Sequence, residues 1–236
     1  MRKIDKSIIL SGEYKAWVDG LNKENKKHPD DKYRKYYDDV FYNLLYCQEG
    51  VCAYTEKRLC SPDLISDSKW QDNRYVKCDD QISRGHLEHF DPTLKKEKFW
   101  EWENLFVIDS DINIKVKSKR GIDPILKPDA PDYDPYELLD YDHETNRFIP
   151  NTGIEDEEKK DRIKYMIDTL GINAYFIVYE RRKYCNRFKK NLLEYNKEEK
   201  KEDINEFKFN TAIEMLRKIY KKQLEKSGHA RKARSA

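Results

Sequence analysis

Pro92 falls directly after His86-Leu87-Glu88-His89-Phe90-Asp91, and a proline cannot donate to a ladder, so a strand formed by those residues must end there. The next apolar run, Leu105-Phe106-Val107-Ile108, leads into Asp109-Ser110-Asp111. The stretch from His86 to Gly121 therefore reads as strand, loop, strand and short helix. It also gathers distinctive chemistry. Glu88 stands beside His89, Asn104 follows fifteen residues after His89 at the head of the second strand, and Asn113 comes nine residues later on the helix. Strand alternation sends Glu88 and His89 to opposite faces unless the chain bends at the motif.

Upstream, residues 1 to 12 read as an arm or short edge strand, and 13 to 22 as a helix with Trp17, Val18 and Leu21 on one face. His28-Pro29-Asp30-Asp31 is a helix-start signal ahead of Tyr33, Tyr36, Tyr37, Val40, Phe41, Leu44 and Leu45. Their spacing predicts an amphipathic helix ending near Gly50. Residues 61 to 85 read as loop with room for a strand. Five prolines from Pro124 to Pro150 exclude a long helix, so 122–152 is expected to be an ordered wrap-around segment with one or two short strands.

Beyond Gly153, three apolar stripes predict three helices: Ile163, Met166, Ile167 and Leu170; then Phe176, Ile177, Tyr184, Phe188 and Leu192; then Phe209, Ile213, Leu216 and Tyr220. Asn173 is placed to cap the second. The basic tail over 226–236 is expected to be disordered. The expected class is α+β: a small strand–strand–helix core over 51–121 embedded in a mostly α-helical domain. An N-terminal helical region over 1–50, the proline-rich wrap over 122–152 and a C-terminal helical region over 153–225 complete it.

Apolar residues make up 38% of the chain and charged residues 39%, so the core must be lean. Seventeen tyrosines and nine phenylalanines supply large buried areas per residue. A net charge of +2 gives little global pull on a polyanion, so a nucleic-acid surface would have to be local. Five cysteines without a repeated CxxC do not describe a disulfide framework. No run is apolar enough for a signal peptide or a membrane span, so the expected compartment is the cytoplasm, with no membrane partner.

Cutting a phosphodiester requires an activated water, help for the departing oxygen and stabilisation of charge on the phosphate. A histidine, with an unperturbed pKa of about 6.5, suits the first task. A magnesium-class ion suits the others and takes oxygen ligands such as a carboxylate and an amide carbonyl. His89 offers the base, and Glu88 and Asn113 the oxygens. Taken singly, each has a plainer reading as a surface pair or a turn residue.

Order and spacing narrow the reading. EHFDP, WENLF and SDINIK resemble the HNH (ββα-metal) nuclease motif, and more closely the HNH proteins of Septu and retron anti-phage systems (PtuB-like). The likeness takes in Cys52-Ala53-Tyr54-Thr55, Gly85 to Pro92, Trp102 to Leu105, Asp109 to Asn113 and Gly121 to Pro150. It continues to Leu170-Gly171-Ile172-Asn173 and Arg181-Arg182, so it spans roughly residues 37 to 190. The resemblance implies His89 as general base, and Glu88 and Asn113 as ligands of Mg²⁺ or Mn²⁺. Asn104 would orient the histidine loop, by bonding the loop or fixing the tautomer, and His86 would be a secondary position without an assigned role. It also implies a nucleic-acid substrate (DNA first, tRNA second) and a PtuA-like ATPase partner.

The family holds a structural zinc on paired-cysteine knuckles, whose positions here are Cys52 with Thr55 and Asp109 with Ile112. Isoleucine cannot bind a metal, so structural zinc is expected to be absent and packing at Ile112 to replace it. The zinc-free HNH domain of the RNA-guided CRISPR nuclease resembles the chain here, through a phrase like Ser110-Asp111-Ile112-Asn113. Cys47, Cys60 and Cys78 match no knuckle spacing and read as small apolar residues. Lys115 falls two residues after Asn113, where the family pattern has three.

Lys115, Lys117, Lys119 and Arg120 are expected phosphate contacts, and Arg181, Arg182, Lys183, Arg187, Lys189 and Lys190 make a second basic cluster. Two other readings stand: an HNH scaffold that binds nucleic acid or the ATPase without cutting, and a helical interaction protein with a fortuitous motif.

Overall fold

A computed structural model describes residues 1–29, 32–76, 83–114, 121–195 and 208–221, with side chains omitted for 191–195. Helix α1 (Gly12–Lys23) starts at Ser11, whose hydroxyl accepts the Tyr14 N–H, and buries Tyr14 and Val18. Helix α2 (Tyr37–Cys47) buries Val40, Phe41, Leu44 and Leu45, and the chain turns away at Gly50, φ +70°. The helix expected after His28-Pro29-Asp30-Asp31 begins only at Tyr37. Tyr33 and Tyr36 pack instead on Trp17 of α1, with ring centroids 5.1 and 5.2 Å away. The stripe is real, but its first members lie on a non-helical turn.

A minimal hairpin follows, β1 (Trp70–Gln71) with β2 (Arg74–Tyr75), turning on Asp72 and Asn73, both at positive φ. Strands β3 (Gly85–His89) and β4 (Leu105–Asp109) pair antiparallel, and one helical turn, α3 (Ser110–Ile112), follows directly. The proline-rich segment holds a short helix, α4 (Pro135–Leu138), and the hairpin of β5 (Leu139–Asp142) with β6 (Arg147–Pro150). Helix α5 (Glu157–Thr169) is capped by Asp156 and stopped at Gly171, φ +65°. Helix α6 (Tyr175–Tyr195) and a last helix, α7 (210–221), complete the described chain. The result is a mixed α/β architecture in which helices surround small antiparallel strand pairs.

A two-stranded sheet is marginal alone. Here side-chain carboxamides act as surrogate neighbours for it. Gln48 accepts the Val107 N–H at 2.9 Å and donates to the Val107 carbonyl at 2.7 Å, closing the outer edge of β4. Asn173 does the same for Phe148 in β6, at 3.0 and 2.7 Å. Asn173 was expected as a helix cap; its side chain is spent on the strand instead.

Arg181 also departs from expectation. It is fully buried, donates to the Asn146 carbonyl at 3.1 Å and to the Ile172 carbonyl, and lies over the Phe148 ring. It is a structural rivet and not part of an exposed basic cluster. Glu56 draws distant parts of the chain together, taking the Thr211 N–H at 2.9 Å and the Met1 ammonium at 3.0 Å. Burial alone would raise its carboxyl, but the Met1 charge and the Thr211 bonds hold it down at about 2.

Among the described residues, Cys52, Cys60 and Cys185 are buried free thiols and Cys47 is a half-buried one, while Cys78 lies outside them. No described helix is long and apolar enough to cross a membrane. The tail over 226–236 also falls outside the described residues.

Candidate active site

The ladder of β3 on β4 runs without interruption from Gly85↔Asp109 through Glu88↔Phe106 to His89↔Leu105. The bend at the motif that would bring Glu88 and His89 to one face is therefore not present within the strand. The two side chains alternate: Glu88 shares its face with His86 and Phe106, and His89 with Leu87 and Leu105. They nonetheless stand next to each other at the strand's end, where Asp91 caps the Pro92–Lys96 turn by accepting the Thr93 N–H at 2.8 Å. His86 is exposed and Glu88 half-buried. Burial, and then the Glu88 carboxylate, push the Tyr54 hydroxyl well above its ordinary range; Tyr54, Phe90 and Phe106 pack as an aromatic cluster, and Phe106 is the ladder partner of Glu88.

His89 is 5% exposed, and its Nε2 lies 2.8 Å from the Phe99 carbonyl oxygen. A carbonyl only accepts, so Nε2 must carry the hydrogen, and in the neutral ring Nδ1 is then the nitrogen with the lone pair. The Phe99 ring meets the imidazole edge-on, with centroids 4.6 Å apart. The main chain thus selects one tautomer, and with the Phe99 ring one ring orientation.

Asn104 ends the turn Trp102–Asn104 and is 4% exposed. Its Oδ1 accepts the Asp91 N–H at 2.8 Å, its Nδ2 donates to the Asp91 carbonyl at 2.9 Å, and its own carbonyl accepts the Phe90 N–H at 2.8 Å. Of the two tasks considered for Asn104, the geometry gives it the loop; the tautomer belongs to Phe99. Below this turn the Lys6 ammonium donates to the carbonyls of Trp102 and Leu105 and pairs with Asp129 at 3.0 Å. Its burial pushes the Lys6 ammonium down to about 8, with the Asp129 charge opposing that. The N-terminal arm and the proline-rich segment thereby brace Asn104 from beneath, a role that a lone lysine in a basic N-terminus does not announce.

The four knuckle positions converge. The Cys52 sulfur accepts the Asp109 N–H at 3.3 Å and hydrogen-bonds with Thr55. Burial raises the Cys52 thiol, which keeps it protonated. Asp109 caps α3 by accepting the Asp111 N–H at 3.0 Å, while its other oxygen pairs with Lys57 at 2.9 Å. Ile112 is fully buried. Neutral hydrogen bonds, one ion pair and an apolar side chain occupy the frame, and this donor set does not suit zinc. Among the described residues, no three His, Cys, Asp or Glu side chains gather as a metal cluster.

Asn113 follows Ile112 at the end of the α3 turn, helical in backbone and half-buried. It belongs to the Asp109–Gly85 end of the hairpin by register, whereas Glu88 and His89 are at the other end. Lys115, Lys117, Lys119 and Arg120 lie outside the described residues. Neither a family model nor a curated protein matches the chain.

Proposed function

We propose that the chain is a metal-dependent endonuclease of the HNH (ββα-metal) type that hydrolyses nucleic-acid phosphodiester bonds. DNA is the first substrate class and tRNA the second. The observation that carries this reading is the His89 Nε2–H bond to the Phe99 carbonyl, which leaves the lone pair on Nδ1. His89 takes the proton of the attacking water through Nδ1. Asn104 keeps the loop after His89 from moving, through its paired bonds to Asp91.

A carboxylate and a carboxamide oxygen form a donor pair suited to a hard cation that completes its shell with water and phosphate. Glu88 and Asn113 would hold Mg²⁺ or Mn²⁺, which when bound supplies Lewis acidity at the phosphate and holds the departing oxygen. Lys115, Lys117, Lys119 and Arg120 would contact backbone phosphates, which gives little base selectivity. The resemblance to PtuB-like proteins extends the reading to anti-phage defence with a PtuA-like ATPase partner. Titration with Mn²⁺ tests the ligand pair: Glu88→Gln and Asn113→Ala should each weaken binding at least tenfold. Unchanged binding by both would remove them as ligands.

The second reading, a scaffold that binds without cutting, is favoured by one observation, the replacement of the zinc frame around Cys52, Thr55, Asp109 and Ile112. It predicts nucleic-acid binding with no cleavage under Mg²⁺ or Mn²⁺, with or without the ATPase.

A further inference from the structure

His28 takes no part in the chemistry above, yet it is 2% exposed and has partners at both ring nitrogens. Its Nδ1 accepts the Trp100 N–H at 2.9 Å. An N–H only donates, so Nδ1 carries the lone pair and Nε2 the hydrogen. That Nε2 lies 3.1 Å from Asn22 Oδ1, which also takes the Lys98 ammonium at 2.6 Å. Glu101 stands 4.0 Å from the same nitrogen and is held by Asn22 Nδ2 at 3.1 Å. The His28 main-chain N–H is fixed on the Glu97 carbonyl at 2.9 Å.

The Trp100 N–H and the Phe99 carbonyl are the two ends of one peptide group. One planar unit is therefore held by an imidazole at each end: His28 accepts from its N–H, and His89 donates to its C=O. Because the peptide is rigid, fixing the direction of the N–H fixes the direction of the carbonyl. Bonding at one end also polarises the unit and strengthens the bond at the other. The next carbonyl, that of Trp100, accepts the Tyr14 hydroxyl at 2.6 Å, and the fully buried indole packs on Trp17.

We infer that His28 is a positioning residue for His89. It acts through the Phe99–Trp100 peptide to hold the carbonyl that sets the tautomer and aim of the base. This rests on the reading of His89 as the base. The plainer role, a histidine that merely fills the core, would be replaceable by any side chain of similar size.

The test compares wild type, His28→Gln, whose carboxamide oxygen can still accept the Trp100 N–H, and His28→Leu, which fills space but accepts nothing. Cleavage of plasmid DNA and of tRNA with Mg²⁺ should show kcat falling roughly 10- to 100-fold in His28→Leu, the range for loss of an outer-layer partner. KM should stay within about twofold, and His28→Gln should recover most of kcat. A second readout needs no cleavage: the ¹⁵N resonances of His89 should report the Nε2–H tautomer in wild type and His28→Gln, and a mixture in His28→Leu. Should His28→Leu not fold, Asn22→Ala, which removes the partner of His28 Nε2, should move both readouts in the same direction by a smaller factor. Unchanged kcat and an unchanged His89 tautomer in the folded variant would overturn the proposal, as would equal impairment of the Gln and Leu variants. If wild type cuts neither substrate, the nuclease reading fails, and the ¹⁵N comparison still decides the link between the two histidines.

Discussion

Asn104 holds Asp91 as a neighbouring strand would, accepting its N–H at 2.8 Å and donating to its carbonyl at 2.9 Å. The two residues flank the connection between β3 and β4, so the clamp fixes where the chain leaves His89. Asn104→Leu removes both bonds and leaves the Asp91 main chain unsatisfied, at a cost of about 1–3 kcal/mol in urea unfolding. Cleavage should fall with it while Mn²⁺ affinity remains. Asn104→Asp keeps the acceptor and loses the donor, so it should fall between the two.

Ile112 occupies a position where the resembling family binds zinc, and here it is fully buried beside the Asp109 cap. Ile112→Ala should destabilise the fold by about 2–5 kcal/mol, the usual range for emptying a core site. It should lower activity more than its loss of stability explains, because Asn113 is the next residue. Urea midpoints and Mn²⁺ titration on the same sample separate the two effects.

Gly85 opens β3 where nothing larger fits: a Cβ there would sit 2.4 Å from Val107 Cγ1. Gly85→Ala should cost about 1–3 kcal/mol through overpacking, with the ladder register preserved. Thermal unfolding measures the loss, and amide exchange along β3 and β4 reports the register.

Burial, and then the Lys98 charge, push the His28 imidazole down to about 4, below its ordinary value of 6.5. Within the fold the ring stays neutral, since protonation at Nδ1 would break its bond to the Trp100 N–H. Below about pH 6.5 the unfolded chain binds a proton that the native chain refuses. Stability is therefore full above that value, falls as pH drops, and this contribution is exhausted near pH 4. At about 1.4 kcal/mol per pKa unit, the contribution is roughly 3 kcal/mol. Urea unfolding at pH 7 and pH 4.5 should show a steeper acid loss in wild type than in His28→Gln.

Much of the local structure around the site is legible in the sequence, because its signals are strong and local. Pro92 ends one strand, the run Leu105 to Ile108 makes the next, and a short helical turn leading to Asn113 follows. What was not legible depends on main-chain atoms and distant partners. The tautomer of His89 is set by the Phe99 carbonyl, an atom type that every residue carries. Tyr33 and Tyr36 fit a helical stripe but were drawn onto Trp17. Arg181 lies in a basic run, yet carbonyls of Asn146 and Ile172 and the ring of Phe148 bury it. Gln48 looks like an ordinary polar residue, and Asn173 like a helix cap, until their strand neighbours are known.

On the proposed function, His89 is the base of a metal-dependent phosphodiesterase. The most direct measurement is cleavage of plasmid DNA and tRNA with Mg²⁺ or Mn²⁺, with and without the ATPase, by wild type and His89→Ala. Wild type should cut in a metal-dependent way and the variant should lose at least about 100-fold, within the range for removing a general base. Undiminished cutting by folded His89→Ala, or no cutting by wild type under any of these conditions, would contradict it.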